Sequence, residues 1–123
     1  MRVIIAGSRG FSDYERLRLS MKAAFPSCEL VISGCACGAD QLGERWAVEH
    51  GVAVKQMPAD WSLGRSAGYR RNVDMSLVAD GLLAMWDGES RGTKHMIQIA
   101  VKAKLRVAVF CCGKLEMNFK ENE

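Results

Sequence analysis

The stretch Val31-Ile32-Ser33-Gly34-Cys35-Ala36-Cys37-Gly38-Ala39-Asp40 decides how the rest of the chain is read. Its apolar start predicts a buried strand, its middle a tight turn of small residues, and its end the first turn of a helix. Beyond Asp40, the residues Leu42, Trp46 and Ala47 recur at helical spacing. A strand that passes through glycines into a helix leaves unpaired backbone N–H groups at the turn. With the helix dipole behind them, they form a ready site for a phosphate or another anion. Two similar junctions flank it, Gly7-Ser8-Arg9-Gly10 and Asp87-Gly88-Glu89-Ser90-Arg91-Gly92-Thr93. Three such turns in one small chain are better explained by a ligand than by chance.

Outward from this centre, strands and helices alternate. Arg2–Ala6 is a continuous apolar run, the mark of a strand covered on both faces. Ser12 or Asp13 then caps a helix with Leu17, Met21 and Ala24 on one face, ending before Pro26. A second strand is expected over Glu29–Ile32, a second helix over Ala39–His50 closed by Gly51, and a third strand over Val52–Gln56. After the loop Met57–Gly64, a helix runs from about Arg65 or Ser66 to Ala79. Gly81–Trp86 reads as the fourth strand, Gly92–Ala103 as the fourth helix and Leu105–Phe110 as the fifth strand. This alternation predicts an α/β, Rossmann-like three-layer α/β/α fold around a five-stranded parallel sheet, with right-handed crossovers. The expected order is 3-2-1-4-5, which puts the turns after strands one and four at the point where strand order reverses, with the Ser33–Asp40 turn beside them.

The composition sets outer limits. One domain over residues 1–112 is expected, followed by a polar C-terminal tail, 113–123. With 49% hydrophobic and 25% charged residues, disorder is excluded. A formal charge of +3 is too mild to imply nucleic acid, which is not expected as a partner. No apolar run approaches a membrane span, and Met1–Ala6 is too short for a signal segment, so a cytoplasmic protein without membrane contact is expected. Five cysteines, Cys28, Cys35, Cys37, Cys111 and Cys112, are an odd number, which counts against a disulfide framework. Neither the C-x-C nor the C-C pair has zinc-finger spacing. In the expected order the two clusters lie three strands apart, roughly 14 Å, too far for one metal ion. No metal and no cofactor is called for.

At this point the motifs resemble a known family. Gly7-Ser8-Arg9, Gly34-x-Ala36-x-Gly38-Ala39-Asp40, Trp46-Ala47 and Ala59-Asp60-Trp61 come first. Gly64-x-x-Ala67-Gly68-x-x-Arg71-Asn72-x-x-Met75 and Trp86-Asp87-Gly88-x-Ser90-x-Gly92-Thr93 follow. Together they resemble the YspA-type, cpYpsA-related SLOG family over nearly the whole chain. The resemblance implies a Rossmann-like fold and a role in binding nucleotides or nucleotide-derived signals. Wider relatives include the lonely-guy phosphoribohydrolases, a DNA-processing protein and sensor domains for ADP-ribose-type signals. Two departures matter. Gly34-Cys35 stands where many relatives have a Gly-Gly pair, and Met96 stands where lonely-guy enzymes carry a glutamate three residues after the threonine of their Gly-Thr motif. Methionine can neither relay a proton nor stabilise an oxocarbenium-like transition state, so glycosidase activity does not carry over directly.

The expected ligand-binding set is drawn from these turns. Gly7, Gly34, Gly38, Gly88 and Gly92 permit close backbone approach, or serve the tight turns alone. Cys35 and Ala39 sit within the second turn. Ser8, Ser90 and Thr93 offer hydroxyls at helix starts, as N-caps or as donors to a phosphate. Arg9 suits an anion; of the adjacent Arg70 and Arg71, about 100° apart on a helix, one faces the crevice and the other solvent, and the motif match favours Arg71. Asn72 could read a base or ribose edge, or tie a loop to its helix. Asp40 and Asp87 are candidates for a ribose contact or for an acid/base; as a turn residue, Asp87 has an alternative role. Trp61 could stack a base or pack on a helix or neighbouring subunit. The expectation is a module that senses or sequesters a small phosphate-bearing nucleotide or NAD/ADP-ribose-derived ligand, rather than an enzyme, and that forms a homo-oligomer. The alternative is a hydrolase of an N-glycosidic or phosphate bond using Asp87 or Asp40. Single-stranded nucleic-acid binding ranks third.

Overall fold

The computed structural model describes residues 1–120. In chain order the elements are β1 (Arg2–Gly7), α1 (Tyr14–Ala24), β2 (Leu30–Ser33), α2 (Ala39–Glu49) and β3 (Ala53–Gln56). A 3₁₀ turn (Trp61–Leu63), α3 (Ala67–Val78), β4 (Gly81–Met85), α4 (Arg91–Lys102), β5 (Arg106–Cys111) and β6 (Lys114–Glu116) follow. The sheet runs β3-β2-β1-β4-β5-β6. Its first five strands are parallel, in the order the sequence predicts, and β6 pairs antiparallel with β5. The sheet therefore has six strands rather than five. The sixth comes from the segment expected as a polar tail, where Cys112 and Gly113 turn the chain back (φ 58° and 81°). Phe119 continues the return, donating its amide to the Val107 carbonyl at 2.8 Å. Residues 121–123 of that segment lie outside the described residues.

The pleat sorts each central strand between two cores. Val3 and Ile5 of β1, with Leu83 and Met85 of β4, face Leu17 and Met21 of α1 and Trp46 and Ala47 of α2. Ile4 and Ala6, with Leu82 and Ala84, face Met75 of α3 and Met96, Ile97 and Ala100 of α4. Continuous apolar runs are thus strands buried on both sides, with each full burial of a large side chain stabilising by about 1.5–3 kcal/mol.

Local signals set the helix ends. The Asp13 carboxylate accepts from the Arg16 amide at 3.1 Å and starts α1, which Phe25 closes just before Pro26. Ser90 caps α4 by accepting from the Thr93 amide. Gly38, at φ 76°, precedes α2 without a side-chain cap, and Asp40 supplies the negative charge of its first turn. Strand order reverses between β1 and β4, which brings the loops after both to one rim beside the turn after β2. Among the described residues no helix is long and apolar enough to cross a membrane.

Candidate functional site

The three turns interlock at this rim. The Ser8 amide donates to the Met85 carbonyl at 3.0 Å, and the Ser8 hydroxyl accepts from the Asp87 amide at 3.0 Å. The Ser8 carbonyl accepts from the Ala39 amide at 3.4 Å. Two glycines make the approach possible. A Cβ on Gly7 would stand 2.3 Å from the Met85 carbonyl oxygen, and one on Gly38 2.4 Å from the carbonyl oxygens of Ser8 and Arg9. Ser8, Gly38 and Ala39 are thereby committed to holding the turns together.

The second turn is tied down in the same way. The Ser33 hydroxyl donates to Glu44 Oε2 at 2.6 Å and accepts from the Cys35 amide at 3.1 Å, while Gln56 donates to Glu44 Oε1 at 2.9 Å. Asp40 Oδ2 accepts from the Ala36 amide at 3.1 Å. Glu44 thus positions the turn, a role that sequence reasoning missed. It sits one helical turn past Asp40, with its partners on two strands, so nothing local marks it. In the third turn Asp87 Oδ1 accepts from the amides of Glu89 and Ser90, both at 2.8 Å. Those amide bonds hold the Asp87 carboxyl below the usual carboxylate range.

Beside this rim, on the α3/α4 face, lies a cleft of about 250 Å³. Gly7, Arg9, Asp40, Arg71, Asn72, Ser90, Gly92 and Thr93 of the expected set line it. Ser8, Gly34, Cys35, Gly38, Ala39, Asp87 and Gly88 do not; Ser8 and Asp87 face a separate groove on the α1 side, beside Phe11 and Phe110. Gly34 lies directly behind the cleft wall, because a Cβ there would stand 2.6 Å from Arg71 Nη1 and 2.9 Å from Asp40 Oδ2. Arg71 donates to the Gly34 carbonyl and, through Nε, to Asn72 Oδ1 at 3.2 Å. The Asn72 amide reaches His95 Nδ1 at 3.1 Å, and His95 in turn packs against the Tyr69 ring, centroids 4.4 Å apart. This chain of contacts ties the second turn to α4 across α3. Burial lowers the His95 pKa, favouring the neutral ring that can accept from Asn72.

Sequence reasoning did not single out Arg65, Gly68 or Tyr69 as site residues, yet all three line the cleft, as does Trp61. The signal was present in Gly64-x-x-Ala67-Gly68, whose small residues let Trp61 lie over the start of α3; a Cβ on Gly68 would touch the Trp61 ring at 3.4 Å. Trp61 is 60% exposed and Tyr69 44%, so both rings remain partly open to solvent while lining the cleft. Met96 lies buried at the cleft's inner wall.

Charge in the cleft is unbalanced. Arg9, Arg65 and Arg71 line it against the single carboxyl of Asp40. Burial raises the Asp40 pKa, opposed by the Ala36 amide and by the charges of Arg71 and Arg9. The α4 N-terminus opens on the same space. Gly92 lines the cleft in the first turn of α4, where a backbone amide has no intrahelical partner and suits an anion.

Residues 1–64 match the sequence model of the YspA, cpYpsA-related SLOG family. Along its length the chain is 35% identical over 120 residues to the Gene 61 protein of Mycobacterium phage D29, covering 89% of this chain and 95% of that one. The chain belongs to the YspA, cpYpsA-related SLOG family. Its fold is similar to that of DNA processing protein A from Helicobacter pylori, with a TM-score of 0.57 at 18% identity over 89% of this chain. The chain spans 64% of that protein's length. DNA processing protein A binds single-stranded DNA. The expectation against nucleic acid as a partner is therefore corrected: a protein with this fold serves that purpose. The physical reason is that net charge averages over the surface, whereas binding responds to local density. In this SLOG chain three arginines converge on one cleft although the whole carries only +3.

Proposed function

We propose that the cleft between α3 and α4 binds a small phosphate-bearing nucleotide or a nucleotide-derived ligand, which the protein senses or sequesters. The observation that carries this reading is the meeting of three arginines with two partly exposed aromatic residues in one cleft. Guanidinium forks and helix N-terminal amides suit phosphate oxygens, and Trp61 and Tyr69 offer stacking surfaces for a base. Asn72 and Asp40 line the same cleft and offer polar groups suited to a ribose. The volume, about 250 Å³, lies below the usual range for ligand pockets, about 300–1,000 Å³, so the ligand that fits is a single nucleotide unit held partly in solvent.

Thermal denaturation with a panel of mononucleotides, NAD and ADP-ribose tests the reading. Saturation at about a hundred times Kd raises stability by about 2.7 kcal/mol. A flat melting temperature across the panel contradicts it. The same incubations, assayed for released base or phosphate, separate binding from hydrolysis. For hydrolysis, Asp40 is the candidate acid/base on the cleft.

A second reading is single-stranded nucleic acid. The fold likeness to DNA processing protein A, which binds single-stranded DNA, and the three arginines that share the cleft with Trp61 and Tyr69 support it, whereas in the neighbouring groove Asp60 and Asp74 offset Arg70 and Arg71. Stacking rings along a basic track are how sequence-tolerant single-strand binders work. Oligonucleotide affinity that falls steeply with salt, against weak mononucleotide binding, supports this second reading.

A further inference from the structure

The β5–β6 turn carries a feature that the nucleotide reading does not use. Neighbouring residues on a strand point to opposite faces of the sheet. Cys111 closes β5 and Cys112 follows at φ 58°, in the left-handed region where an L side chain is strained. Both turn residues, Cys112 and Gly113, have positive φ, the condition of a type I′ hairpin, whose usual first residue is Asn, Asp or Gly. A cysteine in that place breaks the local rule. Its consequence is that the two thiols come to the same side, Sγ to Sγ 3.2 Å apart. Cys111 is half-buried, with its sulfur 3.6 Å from where a Cβ on Gly88 would lie, and Cys112 is exposed.

We propose that Cys111 and Cys112 form a reversible oxidation site, a vicinal dithiol that closes to a disulfide on exchange with a small-molecule disulfide. The exposed Cys112 thiolate attacks one sulfur of the oxidant, giving a mixed disulfide and releasing one thiolate. The Cys111 thiolate then attacks the Cys112 sulfur, forming the Cys111–Cys112 bond and expelling the second. The two protons lost by the protein end on the two small-molecule thiols; the protein gives up two electrons and the oxidant takes them. The sulfurs lie about 1 Å beyond bonding distance, and adjacent Cα atoms are closer than most disulfides span. The bond is therefore strained and easily reduced, as suits a switch rather than a staple. Cys112 is the exposed thiol and so the first to react, while the hydrogen bond to Cys112 and burial hold back ionisation of Cys111.

This inference does not rest on ligand binding, and its test is chemical. The full-length chain is treated with oxidised glutathione, remaining thiols are alkylated, and the tryptic peptide Val107–Lys114, which holds both cysteines and no others, is weighed. The expected result is a peptide lighter by two hydrogens, carrying no alkyl group, in a chain that stays monomeric on a non-reducing gel. Dithiothreitol restores two alkylatable thiols. Cys112→Asn, which suits the left-handed turn, is expected to leave Cys111 alkylated or carrying one glutathione. Recovery of both cysteines alkylated after oxidation overturns the proposal. So does a bridge from either cysteine to Cys35, Cys37 or a second chain.

Discussion

Gly34 and Gly38 lie four residues apart in one turn, yet replacing each by alanine is expected to have opposite consequences. At Gly38, φ 76° makes any side chain strained by roughly 1–2 kcal/mol. The new Cβ would also stand 2.4 Å from two backbone carbonyl oxygens, which cannot move without parting the first turn from the second. Overpacking of that kind costs about 1–3 kcal/mol, only partly offset by the lower entropy of the unfolded chain. Gly38→Ala is expected to lose about 2–4 kcal/mol, a fall in melting temperature of roughly 8–16 °C for a domain of this size. At Gly34 the Cβ meets side-chain atoms, the Arg71 guanidinium at 2.6 Å and the Asp40 carboxyl at 2.9 Å. These can swing aside. Losing the Arg71 hydrogen bond, about 0.5–1.5 kcal/mol, is nearly balanced by an unfolded-state gain of about 0.4–1 kcal/mol. Gly34→Ala should therefore stay within about 1 kcal/mol of wild type while displacing the arginine that faces the cleft, weakening nucleotide binding about tenfold or more. Urea denaturation and calorimetric titration of the two variants measure both quantities. Equal destabilisation, or a larger loss at Gly34, would refute the idea that one glycine serves turn packing and the other the cleft wall.

Other outcomes follow from the same geometry. Trp61→Ala, removing a ring that is 60% exposed, should change stability by less than about 0.5 kcal/mol while weakening the binding of any base-containing ligand. Burial raises the Asp40 pKa, so the folded chain holds that proton more tightly than the unfolded one. Its contribution is complete below the ordinary carboxylate pKa and is lost as pH rises through the raised value. Asp40→Asn should thus gain stability relative to wild type as pH rises above the ordinary carboxylate range, read by urea midpoints. Asp87 has the opposite sign. Its depressed pKa gives stability at neutral pH that is lost as pH falls through the folded value, and Asp87→Asn should flatten the acid side of the profile. His95, lowered by burial, should titrate by NMR below the ordinary histidine value, and its protonation should break the Asn72 contact.

The parallel sheet was legible because β1 and β4 need apolar residues on both faces, and because each glycine turn stood between a strand and a helical period. β6 was not. Lys114-Leu115-Glu116 is too short to show alternation, and the turn before it has Cys112 where Asn or Asp would advertise a hairpin. At the site, Arg9 could be read as an anion partner because charge inside a glycine turn has few structural uses, and Arg71 as the crevice-facing one of two adjacent arginines only through the family motif. The division of the glycines could not. Whether a missing Cβ makes room for a ligand, a carbonyl or an arginine depends on what the fold brings opposite, and for Gly7 that is the Met85 carbonyl on another strand. Glu44 was invisible for the same reason, since its partners Ser33 and Gln56 come from β2 and β3.

The most direct test is backbone and indole NMR of the chain titrated with ADP-ribose or a mononucleotide. Binding at the proposed cleft should shift the Gly92 and Thr93 amides and the Trp61 indole together, along one saturating curve. Shifts centred on Phe11, Asp87 and Phe110 in the opposite groove, or none at millimolar ligand, would contradict it.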